Sequence, residues 1–254
     1  MATEADPKIS YEPGDVILCS EPFAHVVMSD LLQEACSWCL KQKGYQKDDG
    51  EAVSSFQKCD ACKMLVYCSK ACQREDWVKG FHKKECKLMA KILVAPSELI
   101  RLAARAVFKV RAGHGDASEE FPDGQKMNFN DLEHSLEDHR SIASITNNLE
   151  GKKLLINYAV MLVIKYLGER PSKELKQLCR SILLKEQTGI TDGLPGGIFK
   201  RLGNIVGMGF FIGATIINHS CWPNAVVELT SLLKSKSIFF RTTLHKHHIY
   251  QVSL

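Results

Sequence analysis

No stretch of this sequence is apolar for long enough to cross a bilayer. The most apolar run, Leu154 to Leu167, is interrupted by Asn157 and Lys165 and falls short of the roughly 20 residues that a spanning helix needs, so it is read as a buried helix. The chain opens Met-Ala-Thr-Glu-Ala-Asp, without the apolar segment of a secretory signal. The expected location is therefore cytoplasm and nucleus, where disulfides are rare. Charge of one sign is also scarce: the net charge is only +4, so affinity for an anionic partner has to come from a local patch. A complete dinucleotide-binding fingerprint is missing as well. Gly207-Met208-Gly209 has no preceding strand, third glycine or following helix, and its glycines are assigned to tight turns. What remains, 45% hydrophobic and 24% charged over 254 residues, describes an ordinary globular protein of one or two domains.

Against these absences stands one concentration. Seven of the ten cysteines fall between Cys36 and Cys86, as Cys36-x-x-Cys39, Cys59-x-x-Cys62, Cys68-x-x-x-Cys72 and His82-x-x-x-Cys86. The alternatives are scattered free thiols or disulfides. Short pairs aim two side chains at one ion, structural Zn²⁺ takes four N or S ligands, and eight ligands make two closed sites. Between Lys58 and Lys87, eight basic residues face four acidic ones, an excess equal to the net charge of the whole chain. Such a patch can meet nucleic acid weakly or an acidic protein surface, or it can be a solvated face. No base-reading motif accompanies it.

Around this block the chain reads as follows. Pro13-Gly14 marks a turn, and Val16–Leu18 and Glu21–Val27 read as strands leading directly into the cysteine block, as if the block were inserted into a larger fold. Pro96-Ser97-Glu98 starts a helix with Leu99, Leu102, Ala103, Ala106, Val107 and Val110 on one face and Arg101, Arg105 and Lys109 off that stripe. Residues 114–130 read as a loop, and Asn130-Asp131 as the cap of a short helix carrying Leu132 and Leu136. A long helix follows over roughly 152–168. Another starts at Pro171-Ser172 with Leu175, Leu178, Cys179, Ile182 and Leu183 inward and Gly189 as its stop. From 190 onward glycines punctuate short apolar runs. Phe210 to Ile217 leads into Asn218-His219-Ser220-Cys221-Trp222-Pro223-Asn224, and Ala225 to Leu229 reads as a strand. Taken alone, the Asn-His-Ser-Cys segment is either a capped turn or a site.

Tyr67-Cys68-Ser-Lys-Ala-Cys72-Gln, Trp77 and His82-Lys-Lys-Glu-Cys86 resemble a MYND finger; a RING finger would place its histidine among the middle pairs. With Pro13-Gly-Asp-Val-Ile-Leu, Glu21-Pro-Phe-Ala, Gly207-Met-Gly-Phe-Phe and Asn218-His-Ser-Cys-Trp-Pro-Asn224, the sequence resembles the SET-and-MYND (SMYD) family of protein-lysine methyltransferases over roughly residues 13–229. The resemblance implies an α+β protein: a split, β-rich SET fold interrupted by a zinc-binding MYND finger and a helical insert. The implied domains are 1–35 for the N-terminal part of SET, 36–86 for the finger, 87–189 for the helical insert, 190–230 for the C-terminal SET core and 231–254 for a divergent tail. It implies a cross-brace in which one zinc takes Cys36, Cys39, Cys68 and Cys72 and the other takes Cys59, Cys62, His82 and Cys86. The nineteen-residue link from Cys39 to Cys59 is longer than the family pattern and reads as an exposed loop.

The implied chemistry is methyl transfer from S-adenosylmethionine to a lysine amine of a histone or other protein, governed by orientation and desolvation of the reactants. Asn218 and His219 match the family's cofactor-contacting pair, and Cys221 matches a ligand of a third zinc site. Four family features lack counterparts. These are the glycine-rich cofactor loop (residues 1–12 hold no glycine), an Asn-x-Phe segment (here Lys185-Glu186-Gln187-Thr188), the Ser-Tyr turn bearing the catalytic tyrosine, and the Cys-x-Cys-x-x-Cys of the third zinc site. The expectation is a SET domain truncated at both ends, by splicing or by gene-model artefact, with no or barely detectable activity and a segment after about residue 230 that is either poorly ordered or docked without the family's threading. No catalytic residue is assigned. Tyr250 sits in His245-Lys-His-His-Ile-Tyr250, which reads as a solvated tail. The function read from sequence is thus a SMYD-like methyltransferase whose finger binds protein partners, proline-rich peptides among them. The alternative is a catalytically impaired MYND adaptor, and nucleic-acid binding through the finger stands third.

Overall fold

The strands that flank the cysteine block in sequence pair with strands from the far end of the chain. The computed structural model describes residues 16–44, 55–120, 124, 126–132, 149–186, 197–201, 204–212, 225–232 and 235–242. Strands β1 (Val16–Ser20) and β2 (Pro22–Val27) precede the finger. The finger contributes β3 (Gln57–Lys58), β4 (Val66–Tyr67), α1 (Lys70–Val78) and α2 (His82–Met89). Then come α3 (Glu98–Arg111), the hairpin β5 (Ser118–Glu120) and β6 (Lys126–Asn128), α4 (Leu149–Leu167) and α5 (Lys173–Glu186). The last strands are β7 (Gly197–Arg201), β8 (Asn204–Phe211), β9 (Ala225–Leu232) and β10 (Ser235–Thr242). This mixture of helices and strands forms two three-stranded antiparallel sheets, ordered β1-β10-β9 and β2-β8-β7, and two small hairpins.

Helix α3 is the centre of the packing. Ile100, Leu102, Ala103, Ala104, Ala106 and Val107 are all buried, and β2, β8, α2, α4 and α5 pack around it. A helix enclosed on every side shows no solvent stripe over its buried turns. Its start is as read from sequence, but Ser97 makes no side-chain cap. Instead Glu98 Oε1 accepts the amide of Ser29 at 2.6 Å, and Ser29 Oγ donates to the Pro96 carbonyl at 3.2 Å, which ties the end of β2 to the start of α3. On α5, Ser172 Oγ accepts the amide of Leu175 at 3.1 Å, and Leu175, Cys179, Ile182 and Leu183 are buried as the spacing predicts.

Several expectations are corrected. Gly207 and Gly209 lie inside β8 and not in turns: they pair with Val27 and His25 of β2. A Cβ at Gly207 would stand 2.6 Å from the Val26 carbonyl oxygen, so strand contact requires the missing side chain. The stretch after residue 230 does not fray at once, because β10 is the middle strand of its sheet, running from Ser235 opposite Leu232 to Thr242 opposite Ala225 and pairing with β1 on its other edge. Ile238-Phe239-Phe240, a β-branched and aromatic run, favours that pairing. Part of the predicted loop over 114–130 is the β5–β6 hairpin. Helix α4 is buried on one side only: Ile156, Val160, Val163 and Ile164 face the core, while Leu154, Tyr158 and Met161 are exposed. No helix among the described residues is long and apolar enough to cross a membrane. The short helix predicted after Asn130-Asp131, the Gly189 stop, Asn218, His219, Cys221 and Tyr250 lie outside the described residues, apart from Asn130, Asp131 and Leu132 themselves.

A pair of stacked rings with a cation on each outer face joins the helices to β2. Phe23 and Phe129 stack at 4.3 Å, Lys109 Nζ lies 5.2 Å from the Phe23 ring, and Lys185 Nζ lies 4.7 Å from the Phe129 ring. Lys185 also donates to the Phe129 carbonyl at 2.7 Å, which places a helix-end ammonium inside the protein without leaving it unbonded. Burial, reinforced by the charge of Arg105, pushes Lys109 down to about 8.

Candidate metal centre

Two tight turns of the same backbone design begin the finger. After Cys36-x-x-Cys39, Leu40 takes a positive φ of 59° and its amide donates to the Cys36 carbonyl at 2.9 Å. After Cys59-x-x-Cys62, Lys63 takes a φ of 58° and its amide donates to the Cys59 carbonyl at the same distance. Left-handed backbone is costly for a residue with a side chain, and its appearance twice at the same position marks a turn held by something at its centre. In each turn the first cysteine's own amide is used too: Cys36 donates to the Lys41 carbonyl and Cys59 to the Leu65 carbonyl, both at 2.8 Å. The two sulfurs of each pair are thereby turned to one side.

Helices supply the other ligands. Ser69 caps α1 by accepting the amide of Cys72 at 3.1 Å, so Cys68 and Cys72 straddle the helix start. His82 and Cys86 sit one turn apart on α2, which begins from Phe81 in a left-handed conformation with a φ of 61°. The outcome is two clusters, Cys36, Cys39, Cys68 and Cys72 in one and Cys59, Cys62, His82 and Cys86 in the other, with the ligand atoms of each within 4.8 Å of one another. Parallel pairing of Cys36 with Val66, and a bond from the Ser37 amide to the Val66 carbonyl, lock the first knuckle against β4 between the two clusters.

Zinc–sulfur bonds of about 2.3 Å at tetrahedral angles put two ligand sulfurs roughly 3.8 Å apart, and a sulfur and a nitrogen roughly 3.6 Å apart. Here Cys39 and Cys68 lie at 3.4 Å, Cys68 and Cys72 at 3.5 Å, and Cys59 and Cys86 at 3.7 Å. His82 Nε2 lies 3.4 Å from the Cys59 sulfur and 3.7 Å from the Cys62 sulfur. These spacings far exceed the roughly 2.05 Å of a disulfide, and the donor sets fit a tetrahedral ion. Burial pushes the Cys59 thiol up, but His82 and the amides of Cys62 and Ala61 hold it down to about 6. A thiolate is the form that binds a metal.

Behind the second cluster lies a group of buried charges that the periodicity of α3 gives no sign of. Asp76, Glu85 and Arg101 are fully buried, and Arg105 is 1% exposed. Arg105 donates through Nε and Nη2 to Glu85 Oε2 at 2.8 and 2.7 Å, and through Nη1 to Asp76 Oδ1 at 2.8 Å. Arg101 Nε donates to Glu85 Oε1 at 3.2 Å. Two tyrosines complete the acceptors: Tyr67 donates to Asp76 Oδ2 at 2.8 Å and Tyr166 to Glu85 Oε1 at 3.3 Å. The guanidinium groups also reach the backbone of β2, with Arg105 donating to the His25 carbonyl at 3.1 Å and Arg101 to the Val27 carbonyl at 3.0 Å. Burial opposes the charge on Glu85, yet Arg105 and Arg101 hold its carboxyl well below the usual carboxylate range. Gly80 leaves room for this arrangement, since a Cβ there would run into the Asp76 carboxylate and stand 2.8 Å from the Asp76 carbonyl oxygen. The sequence holds one clue: Arg101 and Arg105 lie one helical turn apart, matched in number by the two finger acids that end up beside them.

Comparison with known proteins follows the same division. The family described as MYND finger matches residues 36–86. Beyond the finger, the chain is 26% identical over 224 residues to the mouse protein "Histone-lysine N-methyltransferase Smyd1", covering 84% of this chain and 38% of that protein. It is 27% identical over 216 residues to human "Histone-lysine N-methyltransferase SMYD3", covering 85% and 44%, and 26% identical over 234 residues to human "N-lysine methyltransferase SMYD2", covering 88% and 45%. The chain therefore spans less than half the length of these relatives. It carries a MYND finger at residues 36–86 and is related to the SMYD methyltransferases along most of its length.

Proposed function

We propose that this chain is the finger-bearing part of a SET-type protein-lysine methyltransferase, with two structural zinc ions in a cross-brace and a MYND finger that docks protein partners such as proline-rich peptides. The observation that carries this reading is the pairing across the insertion. Strands before the finger bond to strands after the helices, β1 with β10 and β2 with β8, as a split β fold interrupted by a finger and a helical block requires. The two ligand sets named above would each hold one zinc with no open position, a structural arrangement.

S-adenosylmethionine would supply the methyl group to a lysine of a histone or other protein. Asn218 and His219 follow β8 in sequence at the place where the resemblance assigns cofactor contacts; they lie outside the described residues, so no catalytic step is derived from them. The second reading is a MYND adaptor with little or no turnover, and the specific feature favouring it is that all eight finger ligands converge. A radiolabelled methyl-transfer assay on histone and non-histone proteins, run beside peptide binding to the finger, separates the two. Turnover that is lost in His219→Ala supports the enzyme. Peptide binding without turnover supports the adaptor, and neither activity from zinc-loaded protein contradicts both.

A further inference from the structure

The ring of His82 lies between two sets of polar atoms. Nε2 points at the sulfurs of Cys59 and Cys62. Nδ1 is buried without a hydrogen bond, and Glu85 Oε2 lies 3.7 Å from it. An imidazole that gives its Nε2 lone pair to a metal keeps its proton on Nδ1, and such a proton ordinarily goes to a carboxylate or carbonyl oxygen. Glu85 is the acceptor in place, a few tenths of an ångström beyond bonding distance. The same Glu85 oxygen receives two bonds from Arg105, which also donates to both oxygens of Asp76 and to the His25 carbonyl of β2. The other Glu85 oxygen receives Arg101, which reaches the Val27 carbonyl. A continuous line of buried polar contacts therefore runs from the metal-facing imidazole to two carbonyls, those of His25 and Val27, in the second half of a scaffold strand.

We infer that Glu85 is a positioning residue for the metal site formed by Cys59, Cys62, His82 and Cys86, and that through Arg105 and Arg101 it couples occupancy of that site to the ordering of β2 and α3. The inference rests on the zinc reading of that cluster. In the metal-loaded state the Nδ1 proton closes onto Glu85, the carboxylate is held in the orientation that both arginines need, and the arginines hold the β2 carbonyls. When the ion leaves, His82 is free to turn and the carboxylate loses its anchor on the finger side. The other cluster has no such line, since none of its four cysteines contacts Asp76, Glu85 or either arginine among the contacts described.

Cobalt-loaded native protein provides the test, because an S₃N site and an S₄ site give distinguishable visible spectra. Glu85→Gln keeps an acceptor for Nδ1 but removes the anion. It is expected to weaken metal binding at the S₃N cluster by about 10–100-fold in chelator competition and to leave the S₄ cluster unchanged. Tyr166→Phe, which removes one bond to the far Glu85 oxygen, is expected to leave both affinities within about twofold. The native protein supplies a second readout that does not depend on a variant folding. Withdrawing the S₃N metal is expected to raise amide exchange across Pro22–Val27 and Glu98–Arg111. Unchanged S₃N affinity in Glu85→Gln, or protection of both segments after that metal has left, overturns the inference alone. Native protein that never shows an S₃N spectrum overturns the zinc reading, and this inference with it.

Discussion

Chelation of the metal, or Cys62→Ala, is expected to abolish the folded finger. The finger has little regular structure to stand on. Its strands β3 and β4 are two residues each, α1 is nine residues and α2 is eight. Isolated helices shorter than roughly 12–15 residues are marginal in water, and a lone hairpin is marginal at best. In modules of this kind the metal-binding free energy, about 10–16 kcal/mol for structural zinc, is the folding free energy. Cys62→Ala removes one of four donors from a buried cluster. Amide exchange over residues 55–90 is expected to approach that of an unfolded chain, and exchange that stays slow after complete metal removal contradicts this account.

Arg105→Ala is expected to destabilise the protein by about 3–5 kcal/mol, because it leaves the buried Asp76 carboxylate without its guanidinium partner and Glu85 with Arg101 alone. That is a large share of the roughly 5–15 kcal/mol by which a domain is stable. Among the described residues Arg105 alone donates to both Asp76 and Glu85, and it also holds the His25 carbonyl. The comparison within the same protein is Arg111, whose pair with Glu169 is at 2.7 Å but about 40% exposed. Arg111→Ala is expected to cost no more than about 1 kcal/mol. Urea unfolding of both variants at a fixed excess of zinc measures the contrast, and similar midpoints for the two would show that the buried network carries no special weight. Adding Asp76→Ala to Arg105→Ala is expected to cost less than the sum of the single changes, since the two residues share one network.

What could be read from the sequence divides along the range of the interactions involved. The eight finger positions are legible because metal geometry imposes short local spacings, and the structure gathers those residues into two groups. The inward face of α5 is legible because it is set by the Ser172 cap and a 3.6-residue period; the start of α3 is legible from Pro96-Ser97-Glu98, although Ser97 makes no side-chain cap. Arg101 and Arg105 are misread as lying off the buried stripe because periodicity takes charge as a sign of solvent. What buries them is the pair of carboxylates Glu85 and Asp76, 16 to 29 residues back, and carbonyls of β2, some 74 to 80 residues back, none of which a helical window contains. Gly207 reads as a turn residue for a related reason: its need for a bare Cα comes from Val26, on a strand about 180 residues away in sequence. Strand β10 lies beyond the stretch, roughly residues 13–229, on which the resemblance rests, although its own composition suits a strand.

If residues 36–86 hold two zinc ions in the proposed cross-brace, elemental analysis of the purified, undenatured protein counts them. Two zinc ions per chain are predicted, falling to one in Cys39→Ser; a native chain that holds one ion or none contradicts the cross-brace.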